Sequence, residues 1–205
     1  GGQRRIDAPR AFIKLVQHFI LDYCLHDAIP SNHVHSYCAK RSIISNAKPH
    51  TGRPFVANID IDNFFGSIRK EGVERVFVDL GYSTTSAATL ALLCCKNGCL
   101  PQGAPTSPML SNLFLKRFDD EFAAAAGRLR VCYTRFADDM TLSGAKKQTV
   151  IEMTHAAEIA LARSYGLRLN KQKTRIASSG CQQRVAGLVV NEKAFPPRLL
   201  RRQIR

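Results

Sequence analysis

The sequence predicts an α+β fold in which an antiparallel sheet carrying acidic residues is backed by helices. Three observations predict it. Tyr133 to Ser143 holds two short runs that alternate apolar and polar residues, with Asp138 and Asp139 between them. That is the pattern of a β-hairpin turning at an acid pair. Phe55 to Ile61 is mostly apolar and β-prone, with Asp60 at its end, as in a strand buried on both faces. Around these lie segments with apolar residues at helical spacing, several of them stopped by glycine.

The elements follow in order. Pro9 to Ile29 sets Phe12, Leu15, Val16, Phe19, Ile20 and Tyr23 at helical spacing, behind a proline in the first turn. Residues 31–54 are polar and mixed, which predicts loops with one short helix. After the strand at 55–61, Asp62 is placed to cap a segment beginning near Asn63. Ile68 to Leu80 reads as an amphipathic helix stopped by Gly81, and Ser83 to Asn97 as another stopped by Gly98. Pro108 to Ala126 predicts one long helix ended by Gly127. Beyond the acid hairpin, Thr149 to Tyr165 is a helix ended by Gly166, and Val185 to Asn191 a strand. There is no internal repeat and no low-complexity linker.

Charge is unevenly spread. The chain has 205 residues and a net charge of +14. Residues 1–53 carry 8 Lys/Arg against 3 acids, residues 54–162 carry 11 against 12, and residues 163–205 carry 11 against Glu192 alone. A near-neutral centre flanked by basic segments suits a polyanionic partner; a solubilising basic surface is the bland alternative. No run reaches the ~20 apolar residues of a transmembrane helix, and no signal peptide is visible, which predicts a protein without a membrane partner. The seven cysteines include no Cys-x-x-Cys pair, and the cluster Cys94, Cys95, Cys99 is poorly spaced for zinc. Reduced thiols and a cytoplasmic location are expected. His26, His33 and His35 read as surface or packing residues rather than as a metal site.

The acids carry the chemistry. Adjacent carboxylates repel by roughly 1 kcal/mol at 4 Å in water, and by more where solvent is excluded. Asp138 and Asp139 taken alone read as a solvated turn. A carboxylate at the end of a buried strand, however, costs several kcal/mol unless it is paired or metal-bound. Asp60, Asp138 and Asp139 would bring three carboxylates together from two strands. Such hard oxygen ligands suit Mg²⁺ or Mn²⁺ and phosphoryl transfer. An edge-strand or capping role is the plain alternative for Asp60.

The order of motifs resembles the palm of a reverse transcriptase, in particular a bacterial retron-type one. Ile59 to Phe65 resembles the first catalytic motif, and Leu100 to Pro108 the substrate-positioning motif. Tyr133 to Asp139 carries the acid pair as Phe-Ala-Asp-Asp. Gly166 to Thr174 resembles the next motif, and Arg184 to Val190 the primer grip. Asn46-Ala47-Lys48-Pro49-His50 matches the Asn-Ala-x-x-His pattern of retron enzymes. Val185-Ala186-Gly187 stands where those enzymes carry Val-Thr-Gly, so a threonine hydroxyl is missing here. Group II intron, diversity-generating and other defence-associated enzymes share the palm motifs.

The resemblance implies an RNA-directed DNA polymerase in which Asp60, Asp138 and Asp139, with the backbone carbonyl of Ile61, hold two Mg²⁺ ions, Mn²⁺ being a substitute. Arg4, Phe65, Gln102, Gly103 and Lys173 would bind the deoxynucleotide: Arg4 at the triphosphate, Phe65 beneath the sugar, Gln102 and Gly103 at the base pair, and Lys173 at the departing pyrophosphate. Read without it, Phe65 is a core ring, Gln102 and Gly103 a loop, and Lys173 a solvated lysine. Val185, Ala186, Gly187 and Leu188 would form the primer grip, and Asn46 and His50 would serve template RNA recognition. Local capping is the alternative for Asn46. The implied partners are a structured noncoding RNA as template and primer, the RNA–DNA hybrid, deoxynucleotides and an effector protein, with branched msDNA made for anti-phage defence. A polymerase-derived RNA-binding scaffold without catalysis is the alternative from another class. The expected organisation is part of the fingers at residues 1–54, palm with inserted fingers helices at 55–190, and the start of a thumb at 191–205. Both ends look cut, as in a trimmed fingers–palm fragment.

Overall fold

The computed structural model describes residues 9–197. In chain order its elements are α1 (Ala11–Phe19), α2 (Ile43–Ala47), β1 (Phe55–Asp60), α3 (Phe64–Ser67), α4 (Lys70–Asp79), α5 (Thr84–Cys94), α6 (Ser107–Phe114) and α7 (Lys116–Arg128). Then come β2 (Cys132–Phe136), β3 (Asp139–Gly144), α8 (Lys147–Ala160), β4 (Arg175–Ser178), β5 (Arg184–Val185) and β6 (Leu188–Val189). These residues form two compact units. One holds the residues up to Ser31 with Asn63–Arg117; the other holds Asn32–Asp62 with Phe118 onward. Residues 32–54 therefore belong with the sheet, and the contacts do not divide at residue 54.

The first unit is helical. α1 runs on as a π-helical stretch, Ile20–Cys24, and buries Gln17 and Ile20. Gln17 Nε2 donates to the Leu93 carbonyl of α5 at 2.9 Å. The expected apolar face is not the buried one: Phe12, Leu15, Phe19 and Tyr23 are exposed. α5 is capped by Ser83, whose Oγ accepts from the Ser86 N–H at 3.2 Å. It ends at Cys94 rather than Asn97, because Cys95 is already extended (φ −105°, ψ 154°); Asn97 (φ 52°) and Gly98 (φ 77°) form the turn that follows. The long helix expected from Pro108 is two helices, interrupted at Leu115. Gly127 does not end the second of them, α7, which from Phe118 onward belongs to the second unit. The left-handed residue that stops α7 is Arg130 (φ 57°), and the Val131 N–H closes the end on the Ala126 carbonyl at 2.9 Å.

The second unit is built on a four-stranded sheet in the order β2-β3-β1-β4, with every neighbouring pair antiparallel. β1 sits between β3 and β4, and residues of both its faces are buried, Val56 and Asp60 on one and Ala57 and Ile59 on the other, in keeping with its apolar sequence. α8 packs against β1 and β3 and runs on as a π-helical stretch to Tyr165, where Gly166 (φ 66°) ends it. The acid hairpin is as read: β2 and β3 pair from Cys132↔Ser143 to Phe136↔Asp139 around a two-residue turn, Ala137-Asp138. β4 went unread in the sequence because only four residues, Arg175–Ser178, pair, and they carry no long alternation. The strand expected over 185–191 is instead a tight hairpin, β5 and β6. Ala186 (φ 46°) and Gly187 (φ 83°) are both left-handed, as a type I′ hairpin turn requires. Val185, Leu188 and Val190 join Ala47 and Val56 in one buried cluster. Each buried valine or leucine there contributes on the order of 2 kcal/mol. Among the described residues no helix is long and apolar enough to cross a membrane. The seven cysteines are free thiols.

Candidate active site

Strand pairing brings the acids together. Asp60 is the last residue of β1 and Asp139 the first of β3, and the two are register partners. The Ile61 N–H donates to the Asp138 carbonyl at 3.0 Å, which makes Asp60 and Asp139 a non-hydrogen-bonded pair. Opposed side chains are closest in such pairs, with Cβ atoms about 4.5–5.5 Å apart, and two carboxylates set there repel. Asp60 is buried, at 7 % exposure, Asp138 is half-buried and Asp139 is exposed. The Asp60 backbone is held from its other side, where its carbonyl accepts the Asn170 N–H at 2.8 Å. Asp62 is not a cap for α3; its N–H donates to the Arg168 carbonyl at 2.9 Å, and Asn63 takes the cap position in a left-handed conformation.

A cation already answers part of this repulsion. Lys173 Nζ donates to both Asp60 oxygens, at 3.1 and 2.9 Å. Lys173 is half-exposed, so the pair is screened by solvent. Among the described residues no three His, Cys, Asp or Glu side chains stand together as a formed metal cage. The donor chemistry nevertheless fits a hard divalent cation: the carboxylates of Asp60 and Asp139 face each other across the sheet, with Asp138 adjoining. Ile61 has its side chain buried at 1 % exposure, which leaves only its backbone for such a site.

The acid turn has its own supports. Ala137 has φ 57°, a left-handed conformation uncommon for a non-glycine residue. Its N–H donates to Ser36 Oγ at 2.8 Å, and its carbonyl accepts from Arg135 Nη1 at 3.0 Å. Arg135 is fully buried and donates through Nε and Nη2 to Asp119 of α7, at 2.9 and 2.6 Å. Tyr133 Oη donates to the same carboxylate at 2.7 Å. Burial opposes the charge on Arg135, and the Asp119 carboxylate more than offsets it, holding the guanidinium pKa above its ordinary value. Burial first, and then Asp119, pushes the Tyr133 phenol well up. Tyr37, also left-handed at φ 55°, has its phenol raised by burial and by the charge of Asp138. The sequence reading missed Asp119, Arg135, Ser36 and Tyr37. An arginine at an inward strand position and an aspartate beside Phe118 and Phe122 on the apolar face of α7 were the available signals for the first two.

The remaining expected residues divide between the units. Phe65 packs its ring against Phe64, with centroids 5.5 Å apart, in the first unit. Gln102 is half-buried in a turn of that unit, and Gly103 has φ 114°, a conformation that L side chains rarely adopt. Of the residues expected to form a primer grip, Val185 and Leu188 are buried in the core cluster, while Ala186 and Gly187 form the hairpin tip. Asn46 and His50 are buried in the second unit, at 1 % and 0 % exposure. His50 Nδ1 lies 2.7 Å from Ser143 Oγ and Nε2 lies 2.8 Å from Thr134 Oγ1, so both ring nitrogens are engaged beneath the acid hairpin. Such burial does not fit direct contact with a template. Arg4 lies outside the described residues.

The profile of the family described as reverse transcriptase (RNA-dependent DNA polymerase) matches residues 2–192. The chain belongs to that family. It is 35 % identical over 190 residues to the retron Ec86 reverse transcriptase of Escherichia coli, covering 93 % of this chain and 59 % of that protein. It is 35 % identical over 209 residues to the retron Mx65 reverse transcriptase of Myxococcus xanthus, covering 93 % and 49 %. The chain thus spans about half the length of the curated relatives it matches. Among solved structures it resembles apo telomerase from Candida tropicalis, with a TM-score of 0.61 at 9 % identity, over 92 % of this chain and 40 % of that one. It also resembles Candida albicans telomerase in complex with the TWJ fragment of telomeric RNA, with a TM-score of 0.60 at 11 % identity, over 88 % and 38 %. At such identities the likeness is one of fold.

Proposed function

We propose that this chain is the polymerase portion of a retron-type RNA-directed DNA polymerase, extending a primer hydroxyl with deoxynucleotides on an RNA template. The observation that carries the reading is the cross-strand pair Asp60–Asp139 with Asp138 in the adjoining turn. Asp60, Asp138, Asp139 and the Ile61 carbonyl are the groups that would hold two Mg²⁺ ions. When bound, Mg²⁺ supplies Lewis-acid stabilisation of the phosphoryl oxygens and makes the primer hydroxyl a better nucleophile. The chain's own residues do the holding. Asp60 is fixed by its strand and by Asn170, and Asp138 by the clamped turn. Lys173, a half-exposed ammonium beside Asp60, is suited to neutralise or protonate the departing pyrophosphate. Phe65 would exclude a 2′-OH, with Gln102 and Gly103 at the nascent pair, Arg4 on the triphosphate and residues 185–188 as the primer grip. For Asn46 and His50 the burial supports a role in shaping the sheet behind the acids rather than contact with template RNA.

The reading extends to a structured noncoding RNA as template and primer, an RNA–DNA hybrid product, branched msDNA, anti-phage defence with an effector protein, and the cytoplasm. The helical first unit would be fingers, and the sheet-bearing second unit palm. The test is Mg²⁺-dependent deoxynucleotide incorporation on copurified RNA, beside a D138N/D139N variant. Incorporation that falls by at least about 10³-fold in the variant, with the fold intact, supports the metal-carboxylate reading. A folded, RNA-loaded wild type that incorporates nothing overturns it in favour of a scaffold.

A further inference from the structure

Arg135 is more than one half of a buried ion pair. Two of its donors are engaged by Asp119, which fixes the plane of the guanidinium. A third, Nη1, is thereby aimed at the Ala137 carbonyl. That carbonyl belongs to the peptide joining Ala137 to Asp138, so its direction sets where the Asp138 side chain leaves the turn. The N–H of the same residue is tied to Ser36 Oγ. A left-handed alanine is thus held at both its backbone polar groups, immediately before the first carboxylate of the acid pair. Buried ion pairs are poor stabilisers compared with apolar residues of similar volume, so stability alone does not account for one here.

We propose that Asp119 and Arg135 are positioning residues that lock the Ala137-Asp138 turn and so set the geometry of the carboxylates toward a divalent cation. This rests on the polymerase reading of the acid turn. Lysine cannot replace the arginine: a point charge lacks the planar fork that engages Asp119 and the turn carbonyl together.

The test compares R135K with Y133F in the full chain. R135K keeps a positive charge for Asp119 but loses the contact with Ala137. Y133F removes a hydrogen bond from the same carboxylate and leaves the turn contacts alone. Three quantities are read: stability in urea, hydrogen exchange of the Ala137 and Asp138 amides, and Mn²⁺ binding to the protein without nucleotide, followed by EPR. The expected result is that both variants lose stability. Only R135K should speed exchange at 137–138, weaken Mn²⁺ binding by roughly tenfold, and raise the Mg²⁺ requirement for incorporation with KM for deoxynucleotide within about twofold. Equal effects of the two variants, or wild-type Mn²⁺ binding in R135K, overturn the proposal. Should R135K fail to fold, S36A removes the acceptor of the Ala137 N–H from the other side, and wild-type Mn²⁺ binding there overturns it equally. The two readings separate cleanly. If R135K weakens Mn²⁺ binding but the wild type incorporates no nucleotide, the clamp stands and the polymerase reading falls. If the wild type incorporates and R135K binds Mn²⁺ as it does, the clamp falls and the polymerase reading stands.

Discussion

His50 makes the sheet behind the acids sensitive to mild acid. Its imidazole is fully buried between Ser143 of β3 and Thr134 of β2. Burial, and then the charges of Arg53 and His35, lower its pKa from 6.5 to about 3. In the unfolded chain the imidazole takes up a proton near pH 6.5; in the folded chain it stays neutral until about pH 3. Stability is therefore complete above pH 6.5 and is lost as the pH falls through the window down to 3, because the unfolded state binds the extra proton. The loss attributable to His50 is about 1 kcal/mol at pH 6 and about 2 kcal/mol at pH 5, since each unit of separation is worth about 1.4 kcal/mol. The assay is urea unfolding of the wild type and of H50Q at pH 8, 6 and 5. H50Q should be less stable at pH 8, where it gives up part of a satisfied network, but its stability should fall less steeply toward pH 5. Other titrating groups, His35 among them, are common to both proteins and cancel in the comparison. Parallel slopes for the two proteins between pH 8 and 5, or an imidazole seen by NMR to titrate near pH 6.5 in the folded chain, would refute the reasoning.

Two further outcomes follow from the site. In K173M the Asp60 carboxylate loses its ammonium partner; without metal the midpoint of thermal unfolding should drop slightly, by the equivalent of less than about 1 kcal/mol, because Lys173 is half-exposed. Added Mg²⁺ should then stabilise K173M more than the wild type, since no ammonium has to be displaced, and equal shifts with Mg²⁺ would count against the two cations competing for Asp60. For F65V, a smaller side chain beneath the sugar should cut discrimination against ribonucleotides by about 10- to 100-fold in kcat/KM, with deoxynucleotide use largely kept; unchanged discrimination would make Phe65 a packing residue of its Phe64 contact alone.

Local pattern decided a good deal about this protein. The hairpin of residues 132–144, the buried strand ending at Asp60, and the glycine stops at Gly81 and Gly166 are properties of neighbouring residues, and alternation, apolar runs and left-handed preference show them directly. The positions of the three acids were legible for the same reason, as Asp60 and Asp139 sit at strand ends and Asp138 in the turn between β2 and β3. Where one residue carries the decision against its neighbours, local reading failed. Arg130 rather than Gly127 ends α7, and Ala186 turns what looked like a strand into a hairpin, because backbone conformation there follows from the hydrogen bonds and packing on either side. Tertiary structure alone set the register that opposes Asp60 to Asp139, tied Lys173 to Asp60 across 113 positions, and joined Asp119 to Arg135 under the acid turn. It also drew Asn46 and His50 into the interior of the second unit. A charge or an imidazole in a sequence has the same composition whether it meets solvent or a buried partner. Only the packing around it decides which, since desolvation and pairing arise from groups far apart along the chain.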